Sequence, residues 1–401
     1  MLDLSRVAGQ IGEMVTSLKT GWQERQKHLA EALSLLVDKK LDFESLRLKV
    51  ERSSGKTTFL TAGLVEPLAT RHAPPTTPTN FSVIATDGSQ IDVDRHAPAR
   101  CYLINIGRVR LDYGEGARAE LESLPRLCAD ENTLVISDGV RQQAIEGALL
   151  NIRRSVDETG HLAEMAEKLP DSRPALAVVD GSLILWGLSN KDYPDFVVAE
   201  LLDKGYIKHL DTLRKIAGER QLALASYISF PRSADVVNAL RLALCPHNAA
   251  DCDKYCGDTP VGRRPCDKLS GVQDRDLFAS LLDTGERSAL FGSQSKIVRE
   301  NYGEHSIQFF YLKLEDEIAR VEVPVWIAHD KDRLEMTHAL ILDQCRRGQG
   351  YPVALSEAHE QAVVTVADRE NFQRLVEVEL AGRHLATSVS AKSRSKKTRW
   401  V

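Results

Sequence analysis

The sequence predicts an α/β protein, and three observations support that prediction. Short runs of β-branched and aliphatic residues that end at Gly or polar residues predict strands, as at residues 175–179. Longer segments with apolar residues every three or four positions predict helices, as at residues 140–169. The two kinds of segment alternate along the chain, which is typical of a mixed sheet flanked by helices.

The chain opens with a predicted helical arm at residues 2–50. Apolar residues recur there at helical spacing between charged residues, which predicts a long amphipathic helix or a helical pair. The stripe consists of Leu4, Val7, Ile11, Met14, Leu18 and Trp22. Such a stripe is usually core, and an exposed stripe would instead form a partner or dimer surface. Residues 71–80 are rich in Pro and Thr and predict a linker.

Strands and helices are predicted in turn after the linker. A strand at 81–86 ends at Asp87-Gly88-Ser89, and a second at 175–179 ends at Asp180-Gly181-Ser182. Residues 100–106 and 108–113 predict a hairpin that turns at Gly107. Further strands are predicted at 134–136, 222–230 and 321–328, and helices at 140–169, 207–220, 233–244, 333–347, 356–366 and 369–381.

Composition excludes several classes of protein. The 401 residues are 43% hydrophobic and 27% charged, which rules out a mostly disordered chain. The apolar runs are far shorter than the roughly 18 residues that span a bilayer, and no secretory signal is visible, so we expect a cytoplasmic protein. The net charge of −5 lacks the basic signature of nucleic-acid binding. The segment 387–401 carries five basic residues and no acid and predicts a disordered tail.

Two Asp-Gly-Ser motifs stand at corresponding places in the chain. Asp87 and Asp180 each follow a predicted apolar strand, at the end where ligands collect in α/β sheets. If the two strands are neighbours, the paired carboxylates would hold a hard divalent cation such as Mg²⁺ or Mn²⁺. Two such cations activate water and stabilise the leaving oxygen of a phosphodiester. The alternative is that Asp-Gly is simply turn chemistry.

A third carboxylate is expected from the helix between the two motifs. Glu158 shares a helical face with Arg154 and Leu162, and Glu164 and Glu146 are its rivals. From the spacing alone, each of these acids is more typical of a solvated surface than of a ligand.

Four ordered segments resemble the NurA nucleases. They are residues 87–89 (DGS), 179–183 (VDGSL), 227–233 (YISFPRS) and 350–359 (GYPVALSEAH). The resemblance implies an RNase H-like fold and a manganese-dependent nuclease that processes DNA ends, 5′ to 3′, in double-strand break repair. It also implies a homodimer and partnership with the hexameric HerA translocase. The domains expected are an N-terminal helical arm and linker at 1–75, the nuclease domain at 76–386 and the tail at 387–401.

The resemblance also assigns roles to residues. Asp87 and Asp180 would be strand ligands of the metal, and Glu158 would be the helix ligand, with Glu164 as its rival because the helix register is open. His359 would be the late catalytic residue, either a metal ligand or a contact to the attacked phosphate.

Two further residues are candidates for DNA binding. Arg232 follows a Ser-Phe-Pro turn, where it would bind phosphate bidentately or remain a surface residue at a helix start. Tyr351 would stack on a base or serve as a buried aromatic.

A cysteine-rich insertion is predicted at residues 245–266. The seven cysteines of the chain are an odd number, which favours a reducing compartment over a disulfide framework. Four of them crowd into this loop-like stretch, at a spacing that matches neither a zinc ribbon nor a ferredoxin. They are Cys245, Cys252, Cys256 and Cys266. A bound metal, either zinc or an iron–sulfur cluster, is one interpretation and no metal is the other, and His247 would be able to replace one thiol.

Two functions from different classes follow from the sequence. The first is a metal-dependent DNA nuclease. The second is a non-catalytic DNA-binding or assembly subunit of a HerA-type complex, anchored by the cysteine cluster. Without its basic tail the body carries −10, so we expect weak intrinsic DNA binding and delivery of DNA by a partner.

Overall fold

The protein was analysed as a computed structural model that describes residues 3–38, 41–93, 99–170, 173–189 and 193–385. The predicted tail at 387–401 lies outside these residues. Within them the strands are β1 Ala62–Leu64, β2 Arg71–His72, β3 Phe81–Ile91, β4 Tyr102–Tyr113, β5 Arg118–Cys128, β6 Val135–Ser137, β7 Gln142–Ala144, β8 Ala175–Asp180, β9 Leu222–Ile228, β10 Arg287–Ser288, β11 Phe291–Ser293, β12 Ile307–Lys313 and β13 Ile318–Pro324.

The α-helices in the same residues alternate with these strands. They are α1 Leu4–Leu36, α2 Phe43–Ser53, α3 Glu131–Leu134, α4 Ala148–Glu167, α5 Trp186–Ser189, α6 Asp195–Val198, α7 Lys208–Glu219, α8 Asp235–Ala243, α9 Cys252–Cys256, α10 Asp274–Leu281, α11 Lys296–Asn301, α12 Val325–Ala328, α13 Lys331–Arg347, α14 Val353–Ala362 and α15 Val366–Gly382. A π-helical stretch, Ala199–Ile207, leads into α7, and two short 3₁₀ helices cover Pro265–Leu269 and Gly303–His305. No helix among the described residues is long and apolar enough to cross a membrane.

The chain divides into two compact units. Unit 1 comprises residues 1–74 and 228–328, and unit 2 comprises residues 75–227 and 329–401. The first boundary falls inside the predicted linker. The second, between Tyr227 and Ile228, has no counterpart in the domain boundaries expected from the sequence.

Unit 1 combines the N-terminal helices with antiparallel strands in the order β1-β11-β12-β13. Its core joins the last turns of α1 to α8 and β12, through Ala32, Leu36, Leu240 and Phe309. The predicted helical pair at 2–50 is therefore present, but its first half is not core. Leu4, Ile11, Met14, Leu18 and Trp22 are all exposed.

Unit 2 contains the strands that position the candidate site, in the order β5-β4-β3-β8-β9. β3, β4 and β5 form an antiparallel meander, whereas β8 runs parallel to β3, and β9 runs parallel to β8. Helix α4 connects the meander to β8, and α7 precedes β9. This order and these directions are those of an RNase H-like sheet, so the predicted α/β fold is confirmed.

Two predicted turns in unit 2 are wrong. β3 runs through Asp87, Gly88 and Ser89 to Ile91, and β4 is one continuous strand with Gly107 in its middle. Both glycines were predicted to mark turns, but neither has a positive φ. Both instead lie where another element approaches the sheet closely, as described below. Gly181, at φ +84°, is a true turn glycine after β8.

Other element boundaries also shift. The helix predicted at 140–169 begins only at Ala148, because β7 pairs with β6 before it. The strand predicted at 321–328 is β13 followed by the short helix α12. The exposed strand β5 was not predicted, because its charged residues lack the apolar alternation of a half-buried strand.

Candidate functional site

Asp87 and Asp180 lie side by side because β3 and β8 are parallel neighbours. The register of the two strands ends with Thr86 opposite Val179, and each aspartate is the next residue on its strand. Both carboxylates line a cleft of about 460 Å³, together with Glu158 of α4. Acids that are 93 positions apart in the sequence therefore lie next to each other on two interior strands of the sheet.

Glu158 enters this cleft because α4 lies close against β3. The Thr86 hydroxyl donates to the Glu158 backbone carbonyl at 3.0 Å and fixes the helix over the strand. At Gly88, a Cβ atom would lie 2.5 Å from Oε1 of Glu158 and 2.9 Å from Cγ of Arg154. The glycine after Asp87 therefore makes room for the third carboxylate.

The Glu158 carboxylate is incompletely compensated. Its Oε1 is buried and has no hydrogen-bond partner among the described residues, although Nε of Arg154 lies 3.0 Å away in an ion pair. Burial, reinforced by the charges of Asp87 and Asp180, raises the pKa of Glu158 to about 8 against the opposing effect of Arg154. An acid in this environment favours either a proton or a cation.

His359 reaches Asp87 because α14 lies directly on β3 and β4. Gly107 is opposite Asp87 in the strand register, and a Cβ atom there would clash with the Ala358 carbonyl and lie 2.7 Å from the Ala362 amide nitrogen. Asn105 donates to the Ala362 carbonyl at 2.9 Å. In this position Nδ1 of His359 is 2.8 Å from Oδ2 of Asp87, while the rest of the histidine side chain is exposed.

Tyr351 contacts the other aspartate. Its hydroxyl hydrogen-bonds to Asp180, and its ring packs edge-on against Tyr227 at 5.4 Å between centroids. Reduced hydration of the carboxyl group, with the nearby charge of Asp87, raises the pKa of Asp180, although Tyr351 opposes the change. Tyr351 is half-buried with its hydroxyl at the site, and its stacking on a base stays a prediction.

The remaining predicted residues lie elsewhere. Glu164, the rival of Glu158, pairs with Arg108 and is more than half exposed. Arg232 is exposed and belongs to unit 1. Arg154 and Trp186 also line the cleft, and neither was predicted as a site residue. For Arg154 the one available signal was its position on the same helical face as Glu158, and Trp186 had none.

The four clustered cysteines are free thiols in unit 1. Cys252 and Cys256 lie one turn apart on α9. The guanidinium of Arg241 in α8 donates to the backbone carbonyl of Cys266 at 3.1 Å and contacts the Sγ of Cys266 at 3.9 Å. Burial, with the proximity of the other three cysteines, raises the pKa of Cys256. His247, the candidate substitute ligand, stacks on Tyr255 at 3.8 Å.

The donors of the cleft suit a hard divalent cation. Asp87, Asp180 and Glu158 supply carboxylate oxygens, the preferred ligands of Mg²⁺ and Mn²⁺, and Oε1 of Glu158 is buried without a hydrogen bond. Across the described residues, no three His, Cys, Asp or Glu side chains are already grouped closely enough to hold a metal ion. The chemistry of the donors therefore fits a cation, while their side chains are not arranged at ligand distances.

This fold and cleft define an α/β protein with an RNase H-like sheet and with acids on two adjacent parallel strands, β3 and β8. The chain belongs to the NurA domain family, whose model matches residues 81–364. No curated protein matches the chain.

Three solved structures show distant similarity. A crystal structure of NurA with manganese has a TM-score of 0.35 and 11% identity, covering 77% of this chain and 91% of that one. Drosophila Piwi has a TM-score of 0.27 and 10% identity, over 72% and 30% of the two chains. LC9-RNase H1, a type 1 RNase H with the type 2 active-site motif, has a TM-score of 0.21 and 9% identity, over 42% and 72%. The family assignment rests on the family model, not on these similarities.

Proposed function

We propose that this protein is a divalent-metal-dependent nuclease that degrades DNA from its ends, with Mn²⁺ as the preferred ion. Membership of the NurA family supports a nuclease. The observation that carries the proposal is the convergence of Asp87, Asp180 and Glu158 in one cleft, with a buried Glu158 oxygen that has no hydrogen bond.

The chain's own residues divide the work of phosphodiester hydrolysis. Asp87, Asp180 and Glu158 would hold the cation, which when bound supplies an activated water and positive charge against the phosphate. Nδ1 of His359 donates to the Asp87 carboxylate and so fixes the orientation of that ligand, while the exposed edge of the histidine faces solvent, where a phosphate would be contacted. Tyr351 orients Asp180 in the same way.

A pair of isosteric variants tests the catalytic role of the aspartates. Asp87→Asn and Asp180→Asn should each abolish the Mn²⁺-dependent degradation of end-labelled single-stranded and duplex DNA. Labels at the 5′ and 3′ ends read the polarity, which we expect to be 5′ to 3′.

Asp138→Asn is the matched control, because Asp138 also precedes a glycine. Its carboxylate caps a turn by accepting from the Val140 and Arg141 amides, and these bonds lower the pKa of Asp138 to about 2. This variant should retain full activity. Degradation by Asp87→Asn at the wild-type rate would refute the proposal.

The biological context follows from the same family resemblance. We propose that the protein acts as a homodimer in the cytoplasm, resects DNA ends during double-strand break repair and receives its substrate from a HerA-type hexameric ATPase. The net charge of −5 supports delivery by a partner, because a protein with a net negative charge is not drawn to the negatively charged DNA at long range. Co-purification with the HerA-like ATPase and mass measurement in solution test these points.

The non-catalytic alternative makes a different prediction. A DNA-binding or assembly subunit would bind DNA or the ATPase but show no difference in cleavage between wild type and Asp87→Asn.

The cysteine cluster remains a separate proposal. We expect zinc or an iron–sulfur cluster at Cys245, Cys252, Cys256 and Cys266. Metal analysis of protein purified without air identifies the metal, and a metal content unchanged by Cys256→Ser would contradict the assignment.

A further inference from the structure

Arg154 is the one cationic side chain that lines the cleft beside Glu158 among the residues the structure describes. It precedes Glu158 by one helical turn on α4, and its stem crosses Gly88 of β3, where a Cβ atom would lie 2.9 Å from Cγ and 3.0 Å from Cδ. The close approach of helix and strand at Gly88 therefore directs the guanidinium into the cleft.

The ion pair with Glu158 leaves most of the hydrogen-bonding capacity of Arg154 unused. Nε of Arg154 is 3.0 Å from Oε1 of Glu158, but both atoms are buried and neither makes a hydrogen bond within the described residues. The side chain is 31% exposed and lines the cleft, although its Nε is buried. A guanidinium has five N–H donors in a fixed fork that matches the oxygens of a phosphate.

The neighbouring Arg153 shows what a structural arginine on this helix looks like. Its exposed fraction, 30%, is nearly the same, but its Nε donates to Asp157 at 3.1 Å. Asp157 also accepts from Arg126 at 2.6 Å. Arg153 lines a different cavity, and none of the three acids lines that cavity. Two adjacent arginines of equal exposure therefore differ in whether a carboxylate satisfies them.

We propose that Arg154 binds the phosphate of the DNA strand to be cut, through its outer guanidinium nitrogens. The proposal rests on the proposed nuclease function and adds the residue that positions the substrate. Its ion pair with Glu158 includes no hydrogen bond, whereas Arg153 donates one to Asp157, so the guanidinium of Arg154 is less firmly held. A cation held by the three acids would repel the guanidinium from Glu158 and favour its contact with an anion in the cleft.

Three variants test this proposal: Arg154→Gln, Arg154→Lys and Arg153→Gln. In EDTA at low salt, a fluorescent single-stranded oligonucleotide should bind Arg154→Gln about tenfold more weakly than wild type. The slope of log affinity against log salt should fall by about 0.7, the value for one lost phosphate contact on a single strand. With Mn²⁺ and saturating DNA, turnover should fall about 100-fold. Arg154→Lys should be intermediate, because an ammonium makes no bidentate contact.

Mn²⁺ titration without DNA separates phosphate binding from support of Glu158. Arg154→Gln should still bind Mn²⁺ as well as wild type, and Arg153→Gln should match wild type in every assay. Equal DNA affinity, salt slope and turnover for Arg154→Gln and wild type would overturn the proposal. So would a loss of Mn²⁺ binding with DNA affinity unchanged, because Arg154 would then only position Glu158.

The metal-free arm also keeps this proposal distinct from the nuclease function. If wild-type protein degrades no DNA, the nuclease function fails, and the EDTA binding assay still decides whether Arg154 contacts phosphate. An unfolding temperature of Arg154→Gln close to that of Arg153→Gln establishes that the variant is folded.

Discussion

Each unit of this protein gathers three carboxylates, but only one of the two groups is compensated by its surroundings. In unit 1, Asp235, Asp274 and Glu322 are all buried. In unit 2, the acids Asp87, Asp180 and Glu158 line an open cleft. One group of three acids is structural and the other is a candidate functional site, and their hydrogen-bond partners distinguish the two.

The unit 1 acids are held by a complete set of partners. Arg320 donates to Asp235 at 2.8 Å and to Glu322 at 3.0 Å, and its guanidinium lies 3.5 Å from the centroid of the Phe309 ring. Asp274 accepts from the Tyr311 hydroxyl at 2.7 Å and from two backbone amides in the first turn of α8. Buried acids with partners of this kind are structural.

In the part of unit 2 that the structure describes, no arginine hydrogen-bonds to two of the three acids as Arg320 does in unit 1. Arg154 approaches Glu158 without making a hydrogen bond, and His359 and Tyr351 each contact only one aspartate. A raised pKa does not distinguish the two groups, because burial raises the pKa of acids in both; the buried Glu158 oxygen without a hydrogen bond does distinguish them. Incomplete satisfaction of buried carboxylates is costly for stability, and it marks the site where a cation or substrate is expected.

The largest expected effect is a loss of activity without a loss of stability. Combining Asp87→Asn with Asp180→Asn should lower the cleavage rate by about 10³-fold or more, about 4 kcal/mol of transition-state stabilisation. The unfolding temperature of the metal-free protein should stay the same or rise, because the repulsion between acids is relieved. Thermal unfolding with and without Mn²⁺ checks this, since Mn²⁺ should stabilise the wild type alone. A strongly destabilised double variant would place these acids in the structural class.

The opposite result is expected in unit 1. Arg320→Met should lower the free energy of unfolding by about 3 kcal/mol, because it leaves Asp235 and Glu322 buried without their cation. Arg47→Met is the control, since Arg47 pairs with two exposed acids, Glu44 and Glu51, and its loss should leave the free energy of unfolding almost unchanged. Chemical denaturation measures both variants. Equal costs would mean that the buried cluster is no more important than a surface pair.

A smaller effect on both stability and activity is expected from a substitution at Gly107. Gly107→Ala places a methyl group against the Ala358 carbonyl of α14, so it should cost about 1–3 kcal/mol of stability and displace His359 from Asp87. We expect activity to fall about tenfold as well. Gly218→Ala in α7 has no atom within 4 Å of the new Cβ and should be neutral or slightly stabilising. Wild-type activity in Gly107→Ala would show that the close approach of α14 is not needed.

The last expected effect is a dependence of stability on pH. Burial, with the charge of Asp235, raises the pKa of Asp274 from 3.8 to about 6. The folded state then holds this proton more tightly than the unfolded state, so the contribution is present at low pH and is lost as pH rises from about 4 to about 6. Asp274→Asn keeps the group neutral and should flatten this part of the stability curve, measured by denaturation at several pH values. An unchanged slope would exclude Asp274 as its source.

Local sequence predicted the parts of the site that depend on nearest neighbours. The strand at 175–179 and the turn at Gly181 follow from β-branched residues and an adjacent glycine, and both are confirmed. The fold class and the family were also predicted from ordered motifs. The choice of Glu158 over Glu164 as the helix ligand stayed open in the sequence. The two acids lie on different faces of one helix, and the sequence does not say which face of α4 contacts the sheet.

The glycines show where prediction from sequence stops. Gly88, Gly107 and Gly181 all read as turn residues in the sequence, and only Gly181 is one. The other two are needed because α4 and α14 contact the strands there, and those contacts join residues far apart in the chain. Steric demands of that kind leave no local pattern.

The sequence by itself determined the chemistry available to this protein: the acids, the histidine and the strand and helix periodicities that assign them to strands and helices. The tertiary structure alone decided which of these groups meet and which are satisfied. Parallel pairing of β3 with β8 brings Asp87 next to Asp180. The close packing of α4 and α14 against strand glycines brings Glu158 and His359 to the same site. Charge compensation depends on distances between side chains, so only the folded chain distinguishes the open acids of the cleft from the paired acids around Arg320.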